Sequence, residues 1–402
     1  MRNRHGNDSG DAPVTPRPTV VVIVVNWNRW RDTVECLESV LESTYPHFRI
    51  VVVDNHSTDA SLDSIGRHFR QKGVPCALFR GKPQPGGRPA EEPGATPPGD
   101  AHILLVPLEK NGGYAFGINR GAHAARDFWA GPGSGTLLWA VNNDITVAPS
   151  AMSHLVAEMG RDERTGCAGC LVMHFDRRDE VQTYAGTRPF SPVHLPGYLF
   201  RGKYLYHGHR LPLPKGAPRE IKGHLYGASI MMKQEVFDQV GGWNESYFLE
   251  FEDVDFCRRV RRAGYRLIGV ADAQVFHKVG ASKGSRSGAV QPSRFLGIPS
   301  RRYLKNIDIP FYYRVRNEIL FLRKNYAAWF PLLALTALPA LNLGRLAGIY
   351  LYNDPDKMER VRLLLRAMRD AFRKPAKAPR RSPLHLAGHV STPAKTPTST
   401  GR

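Results

Sequence analysis

The sequence predicts an α/β protein, an open and mostly parallel sheet followed by a basic helical appendage at the carboxyl end. Three observations carry that expectation. From Thr19 onward, short apolar runs rich in β-branched residues alternate with amphipathic helical patterns, the mark of buried parallel strands joined by crossover helices. Clusters of short polar residues follow those runs, as in Asp54-Asn55-His56-Ser57-Thr58-Asp59, and the carboxyl ends of strands are where open α/β sheets bind ligands. The 402 residues are 42% hydrophobic and 23% charged, a globular composition that excludes collagen-like, wholly disordered and polytopic membrane classes.

Residues 1–18 are polar, carry three prolines and lack an apolar period, so they read as a disordered arm. Val20 to Val25 is the first strand, Arg31 to Glu42 a helix and Ile50 to Val53 the second strand, which makes a parallel βαβ unit. The pattern continues with a helix near Ala60 to Gln71, strands near Cys76 to Phe79 and His102 to Val106, a helix near Ala115 to Trp129, and a strand from Leu137 to Val141. The Pro/Gly-rich stretch at 81–101 is a surface insertion within a domain spanning 19–280. A helix returns at Glu252 to Ala263. A flexible loop is expected at 281–308, a helical region at 309–371 that opens with a basic aromatic helix from Phe311 to Asn325, and a disordered basic tail at 372–402.

Charge is uneven. The chain carries 56 Lys+Arg against 36 Asp+Glu, and from Arg301 to Arg402 there are 20 basic and 6 acidic residues, so 14 of the net +20 lie there. Such a block seeks an anionic partner, which includes membrane surfaces, nucleic acid and phosphorylated substrates. Ala327 to Leu343 are 17 consecutive uncharged residues interrupted by Pro331 and Pro339, shorter than the roughly 20 residues a spanning helix needs. The expectation is an interfacial or re-entrant segment on an anionic membrane, where each nearby Lys or Arg adds about 1 kcal/mol, in preference to nucleic acid. Five cysteines with no leader-like start point to a reducing, cytoplasmic setting. Cys167 and Cys170 lead into an apolar strand and read as small core residues.

Four constellations bear on chemistry. Asn26-Trp27-Asn28 ends the first strand and the Asp54 to Asp59 cluster ends the second; the latter can hydrogen-bond a ribose or base edge, or can simply turn the chain and cap a helix. Glycines in Asn111-Gly112-Gly113-Tyr114 open a helix that continues through Asn119, exposing N–H groups suited to phosphate oxygens, or serve close helix packing. Asn142-Asn143-Asp144 offers one carboxylate, enough for a divalent cation whose other ligands come from a diphosphate. Finally, five carboxylates lie between Glu245 and Asp255 among aromatics, just before a helix. A helix start favours the ionised carboxylate, which makes Asp253 a candidate general base.

Taken in order, VVIVVNWN, VVVDNHSTD, NGGYAFGINRG, WAVNND and GGWNESYFLEFEDVDFCRRVRRAGYRL followed by VFHK resemble family 2 glycosyltransferases of the rhamnosyltransferase-like branch, over Thr19 to Lys278. The resemblance implies a GT-A fold, a Rossmann-like nucleotide-diphospho-sugar transferase sheet, and inverting transfer from a nucleotide-activated sugar. It assigns Asn26, Asn28, Asp54, Asp59, Gly112, Gly113, Asn119 and Asn143 to the nucleotide, Asp144 and His277 to a Mn²⁺ or Mg²⁺ ion, and Asp253 with Glu252 to catalysis. Asn142 stands where the family's metal motif has its first Asp. The resemblance also implies dTDP-rhamnose as the first donor to consider and other nucleotide sugars after it; the basic, apolar carboxyl end supports a lipid-linked or cell-envelope glycan acceptor and a peripheral position on the inner face of the plasma membrane. The alternatives are a processive polysaccharide synthase, for which Gln291 to Phe295 approaches the QxxRW motif, and a non-catalytic basic protein binding nucleic acid or membrane.

Overall fold

The computed structural model describes residues 17–79, 101–129, 134–186, 205–213, 219–278, 292–295, 298–301, 308–351 and 357–373. The arm, most of the 81–101 insertion, most of the 281–308 loop and nearly all of the 372–402 tail lie outside the described residues. The chain divides into two compact units, one made of Met1–Glu109, Phe116–Asn244 and Asp253–Val279, the other of Lys110–Ala115, Glu245–Glu252 and Gly280–Arg402.

The first unit is a ten-stranded sheet. Its strands are β1 (Val20–Asn26), β2 (Phe48–Asp54), β3 (Cys76–Leu78), β4 (Ile103–Pro107), β5 (Leu137–Asn142), β6 (Ile145–Val147), β7 (Thr165–His174), β8 (Val181–Thr183), β9 (Ser229–Lys233) and β10 (Arg266–His277). The order across the sheet is β3-β4-β2-β1-β5-β9-β7-β10-β6, with β8 against β7. Pairing is parallel from β3 through β5; β9 runs antiparallel to β5 and β7, which makes β7 and its parallel neighbour β10 point the same way as β1. The carboxyl ends of β1, β2, β5, β7 and β10 therefore share one edge.

Every residue of β1 is buried, as a central parallel strand covered on both faces requires. The helices of this unit include α1 (Trp30–Leu41), α2 (Ser61–Gln71), most of α3 (Tyr114–Phe128), α4 (Ala151–Gly160), α5 (Gln234–Gln239) and most of α6 (Glu252–Arg262). Helix α1 buries Thr33, Val34, Cys36, Leu37 and Val40, the i, i+3, i+4, i+7 stripe of an amphipathic helix. Helix α3 lies close on β1: a Cβ at Gly117 would come within 2.8 Å of Val25, and one at Gly121 within 2.4 Å of Ile23. The elements expected up to Val141 and the helix from Glu252 are present within a few residues of their expected bounds, whereas the strands 145–147, 181–183, 229–233 and 266–277 and the helices 151–160 and 234–239 had no expected bounds. Cys167 and Cys170 are buried thiols on β7, and burial raises that of Cys170 to about 12, which leaves it unreactive.

The second unit contains the hairpin β11 (Pro292–Phe295) and β12 (Ile298–Arg301), then α7 (Asp308–Asn325), α8 (Phe330–Leu335), α9 (Ala337–Leu351) and α10 (Lys357–Phe372). It also claims two short segments expected to belong with the sheet. The reason lies on α7: the Asn317 amide donates to the Leu249 and Glu250 carbonyls, both at 2.8 Å, Arg316 donates to the Ser246 carbonyl at 2.9 Å, and Tyr313 stacks on Phe248 at 5.0 Å. Phe330–Ala347 has a mean hydropathy of 1.3 with only 18% buried. Among the described residues it is the one segment long and apolar enough to cross a membrane, with a break between α8 and α9 at Thr336.

Candidate active site

Asp54 ends β2 beside Asn26 at the end of β1, and Asn142 ends β5 at nearly the same level. The Asp54 carboxylate is 6% exposed and held by three donors: the Asn26 amide at 2.8 Å, the Ser57 hydroxyl at 2.6 Å and the Ser57 backbone N–H at 3.0 Å. A carboxylate offers roughly four acceptor positions, so this one is fixed in place with capacity left for a ligand donor. Asn26 is fully buried, and its oxygen accepts from Thr33 at 2.7 Å. It acts on Asp54 rather than presenting a free polar atom. Asn28 takes a left-handed conformation (φ 53°), and its oxygen accepts from the Thr58 N–H at 2.6 Å while its own N–H donates to Ser57 at 2.9 Å. The first two loops of the sheet are thereby tied together. Asp59 is exposed and accepts from the Ser61 N–H at 3.0 Å, a turn at the start of α2.

The second corner forms where β6 folds back against β10. Pairing of His277 with Ile145 sets His277 Nε2 3.2 Å from Asp144 Oδ1, and the Lys278 N–H donates to the Asp144 carbonyl at 2.9 Å. Asp144 is 3% exposed and His277 7%. Burial pushes the Asp144 carboxyl up, but His277 beside it outweighs that and leaves the group below its ordinary value. Lys278 donates to Asp32 at 3.0 Å and to Glu35, both on α1; burial lowers its ammonium's pKa, yet these two carboxylates raise it overall. Asn143 donates to Thr33 at 3.1 Å, so a chain of hydrogen bonds runs from Asp54 through Asn26 and Thr33 to the residue preceding Asp144.

The donor set fits a divalent cation shared with a substrate. No cluster of three or more His, Cys, Asp or Glu suited to a metal occurs among the described residues, so Asp144 and His277 would supply two ligands and phosphate oxygens the remainder. Their 3.2 Å separation is close to the ~3.0 Å between adjacent ligands on an octahedral ion with bonds of about 2.1 Å.

Asp253 joins this edge through Tyr226-Gly227. The Gly227 N–H donates to Asp253 Oδ2 at 2.9 Å, while the neighbouring Tyr226 ring meets the His277 ring edge to face at 6.2 Å. Asp255 is structural: it accepts from Arg259 at 2.7 Å, and Arg259 donates in turn to the carbonyls of Val240 and Gly242.

Two of the residues expected at the nucleotide, Asn119 and Gly113, have partners within the chain. Asn119 is buried and pairs with the backbone of Trp243, donating to its carbonyl and accepting its N–H, both at 2.8 Å. It holds the Gly241-Gly242-Trp243 turn. In the second unit, the Gly113 N–H donates to Asn111 at 3.0 Å and the Tyr114 N–H to the Phe248 carbonyl at 3.0 Å. The Gly113 N–H, one of the donors expected near phosphate, is thus directed at an acceptor of the chain, as is the Tyr114 N–H that follows it. Gly113 has φ 90°, and a Cβ there would stand 2.3 Å from the Phe248 oxygen, so close approach demands this glycine. Glu252, also of the second unit, is 7% exposed and follows Glu250 and Phe251, two successive residues with φ of 69° and 75°. Left-handed strain of this kind gathers at functional loops.

Residues 21–86 match the profile of the family described as Glycosyl transferase family 2. The N-acetylglucosaminyl-diphospho-decaprenol L-rhamnosyltransferase of Mycobacterium tuberculosis is 25% identical over 197 residues, 46% of this chain and 61% of the relative. The dTDP-rhamnosyl transferase RfbF of Shigella flexneri is 33% identical over 99 residues, 25% of this chain and 29% of the relative. This chain therefore spans less than two thirds of either relative. Among solved structures, that of GalNAc-T7 with UDP, GalNAc and Mn²⁺ has a TM-score of 0.50 at 14% identity, over 78% of this chain and 50% of the other.

The sheet is thus a GT-A fold. In sequence the chain is similar to family 2 glycosyltransferases over residues 21–86, and rhamnosyltransferases are among its relatives.

Sequence reasoning missed the wiring. Ser57 sits within a motif already noticed, where a hydroxyl three residues from an Asp is the available signal; Thr33, seven residues from Asn26 on the following helix, lies in none. The Asp32–Lys278–Glu35 bridge and Gln182 left no signal.

Proposed function

We propose that the protein is an inverting glycosyltransferase that moves a sugar, with rhamnose the first to consider, from a nucleoside-diphosphate donor to a hydroxyl of a lipid-linked or cell-envelope glycan. The observation that carries this reading is the convergence of Asp54, the Asp144–His277 pair and Asp253 on one edge of the sheet. Asp54, held by Asn26 and Ser57, accepts a hydrogen bond from the nucleotide. Asp253, oriented by the Gly227 N–H, takes the proton of the acceptor hydroxyl as its oxygen attacks the anomeric carbon. The bond from that carbon to the diphosphate breaks on the opposite side, and one displacement inverts the configuration. A divalent cation held by Asp144 and His277 would supply neutralising charge to the diphosphate. The rhamnosyltransferase relatives support rhamnose and a lipid-linked acceptor.

The apolar helices support action at a membrane. Trp329, Leu332, Leu335 and Leu343 are 54%, 53%, 81% and 64% exposed, in the part of the chain that holds most of the excess positive charge. These features suit docking on anionic lipid at the cytoplasmic face of the plasma membrane.

The test is thermal stabilisation by dTDP, UDP, GDP and ADP, each with Mn²⁺, Mg²⁺ or EDTA, since a ligand of the folded state raises its stability with the logarithm of concentration over Kd. The largest upward shift is expected for dTDP with metal. No shift with any nucleotide overturns the transferase reading. Flotation with anionic liposomes that persists against competitor DNA is expected; loss to the DNA overturns the membrane reading alone.

A further inference from the structure

We infer that Gln182 is a positioning residue for His277, holding its ring so that Nε2 is the nitrogen offered beside Asp144. This rests on the reading above that Asp144 and His277 share a cation, and adds to it the group that decides how the imidazole is presented.

Gln182 lies at the centre of β8, a strand of three residues. The strand covers the carboxyl-terminal half of β7, through Val172 and Met173, whereas β9 pairs with the other half, through Cys167 to Gly169. Its outer side is fastened to the segment at 205–209: the Val181 N–H donates to the His209 carbonyl at 2.7 Å, the Gly208 N–H to the Val181 carbonyl at 2.9 Å, and His207 Nδ1 to the Gln182 carbonyl at 2.7 Å. Gln182 is 8% exposed, and its side-chain oxygen lies 2.9 Å from His277 Nδ1, a bond between buried groups 95 positions apart.

The consequence follows from the chemistry of the ring. An imidazole presents two nitrogens, and its neutral form carries one proton. An amide oxygen only accepts, so a proton on Nδ1 is held there by donation to Gln182. Nε2, 3.2 Å from the Asp144 carboxylate, is then the nitrogen whose lone pair a shared cation can take. The Tyr226 ring packs against the imidazole from another side, and the amide fixes its rotation about the ring axis. A neutral amide does this without adding charge to a pocket that already holds Asp144. Partners of this type on the far nitrogen set both tautomer and orientation of metal-binding histidines, and their loss costs about 10–100-fold in metal affinity.

The experiment measures Mn²⁺ affinity by electron paramagnetic resonance, with dTDP present, for the full chain and for Gln182→Leu and Gln182→Glu. Gln182→Leu, which keeps bulk and removes the acceptor, is expected to weaken Mn²⁺ binding by about 10–100-fold, and Gln182→Glu, which restores an acceptor, to recover most of it. A second measurement needs no variant: nitrogen-15 spectra of the Mg²⁺-loaded wild type are expected to show the His277 proton on Nδ1. Wild-type affinity in Gln182→Leu, or a proton on Nε2 in the loaded wild type, overturns the inference and leaves the cation site standing. Failure of the wild type to bind Mn²⁺ overturns the shared-cation reading and this inference with it.

Discussion

The Asp54 corner and the Asp144–His277 corner solve one problem, holding a buried carboxylate in place, by different means. Around Asp54 the partners are uncharged: Asn26, Ser57 and, one bond further out, Thr33. At Asp144 the side-chain partner is ionisable, His277 at Oδ1, while the backbone N–H of Lys278, whose ammonium is anchored to Asp32 and Glu35, holds the Asp144 carbonyl. The first corner is stiff because its hydrogen bonds are satisfied internally. The second pairs a depressed carboxyl with an imidazole, a donor set that can exchange a proton for a metal. The difference teaches that one side of this edge is built for shape and the other for charge.

Changes on the charged side should cost chemistry, and changes on the uncharged side should cost stability. The largest effect is expected at Asp253. Asp253→Asn should lower kcat by roughly 10²–10⁴-fold, the range for a general base, with the melting temperature nearly unchanged; transfer at the wild-type rate would remove Asp253 from the mechanism. Next comes Asp144→Asn, expected to lower transfer at fixed Mn²⁺ by about 10²-fold through lost stabilisation of the diphosphate. A titration with added Mn²⁺ should restore part of it, and an EDTA-treated wild type should resemble the variant.

Thr33→Val probes the uncharged side. It leaves the buried Asn26 oxygen and the Asn143 amide without their shared hydroxyl, which should cost about 1–3 kcal/mol in denaturant unfolding while kcat changes little. A large fall in kcat with unchanged stability would break the division between the corners. The smallest effect concerns Glu38 on α1, which accepts from Lys72 and, at 2.9 Å, His68 of α2. Those bonds, Lys72 first, lower its pKa. Its contribution is therefore present above the ordinary glutamate value of about 4.3 and lost as pH falls through the depressed folded value. Glu38→Gln should flatten the acid limb of stability by less than about 1 kcal/mol, because the pair is exposed, and added salt should shrink the difference.

The fold was legible because its signals are local. The parallel strands of the first half announce themselves as apolar runs, and a crossover helix as a stripe such as Val34, Leu37 and Val40, whereas the strand Arg266–His277 is interrupted by polar residues and was not legible. The polar ends of β1, β2 and β5 were legible for the same reason, since chain direction alone delivers Asn26, Asp54 and Asn142 to a common edge. Their division of labour was not. Asn119 and Gly113 occupy motif positions that suggest ligand contact, and the motif gave no sign of the bidentate pairing with Trp243 or of the close approach by Phe248. Likewise Arg316 and Asn317, which read as part of a basic aromatic helix, are spent on the carbonyls of the acidic loop.

The sequence alone carries the α/β class, the order of the elements up to Val141, the acidic and amide residues that end the first strands and the basic, apolar character of the carboxyl end. All of these follow from composition and short-range periodicity, which a chain carries before it folds. Only the tertiary structure decided which polar groups meet: that His277 lies against Asp144 from 133 positions away, that Gln182 reaches its other nitrogen, and that Asn26 serves Asp54. Hydrogen bonds are short and directional, so partners distant in sequence are chosen by strand order and register, which no local pattern encodes.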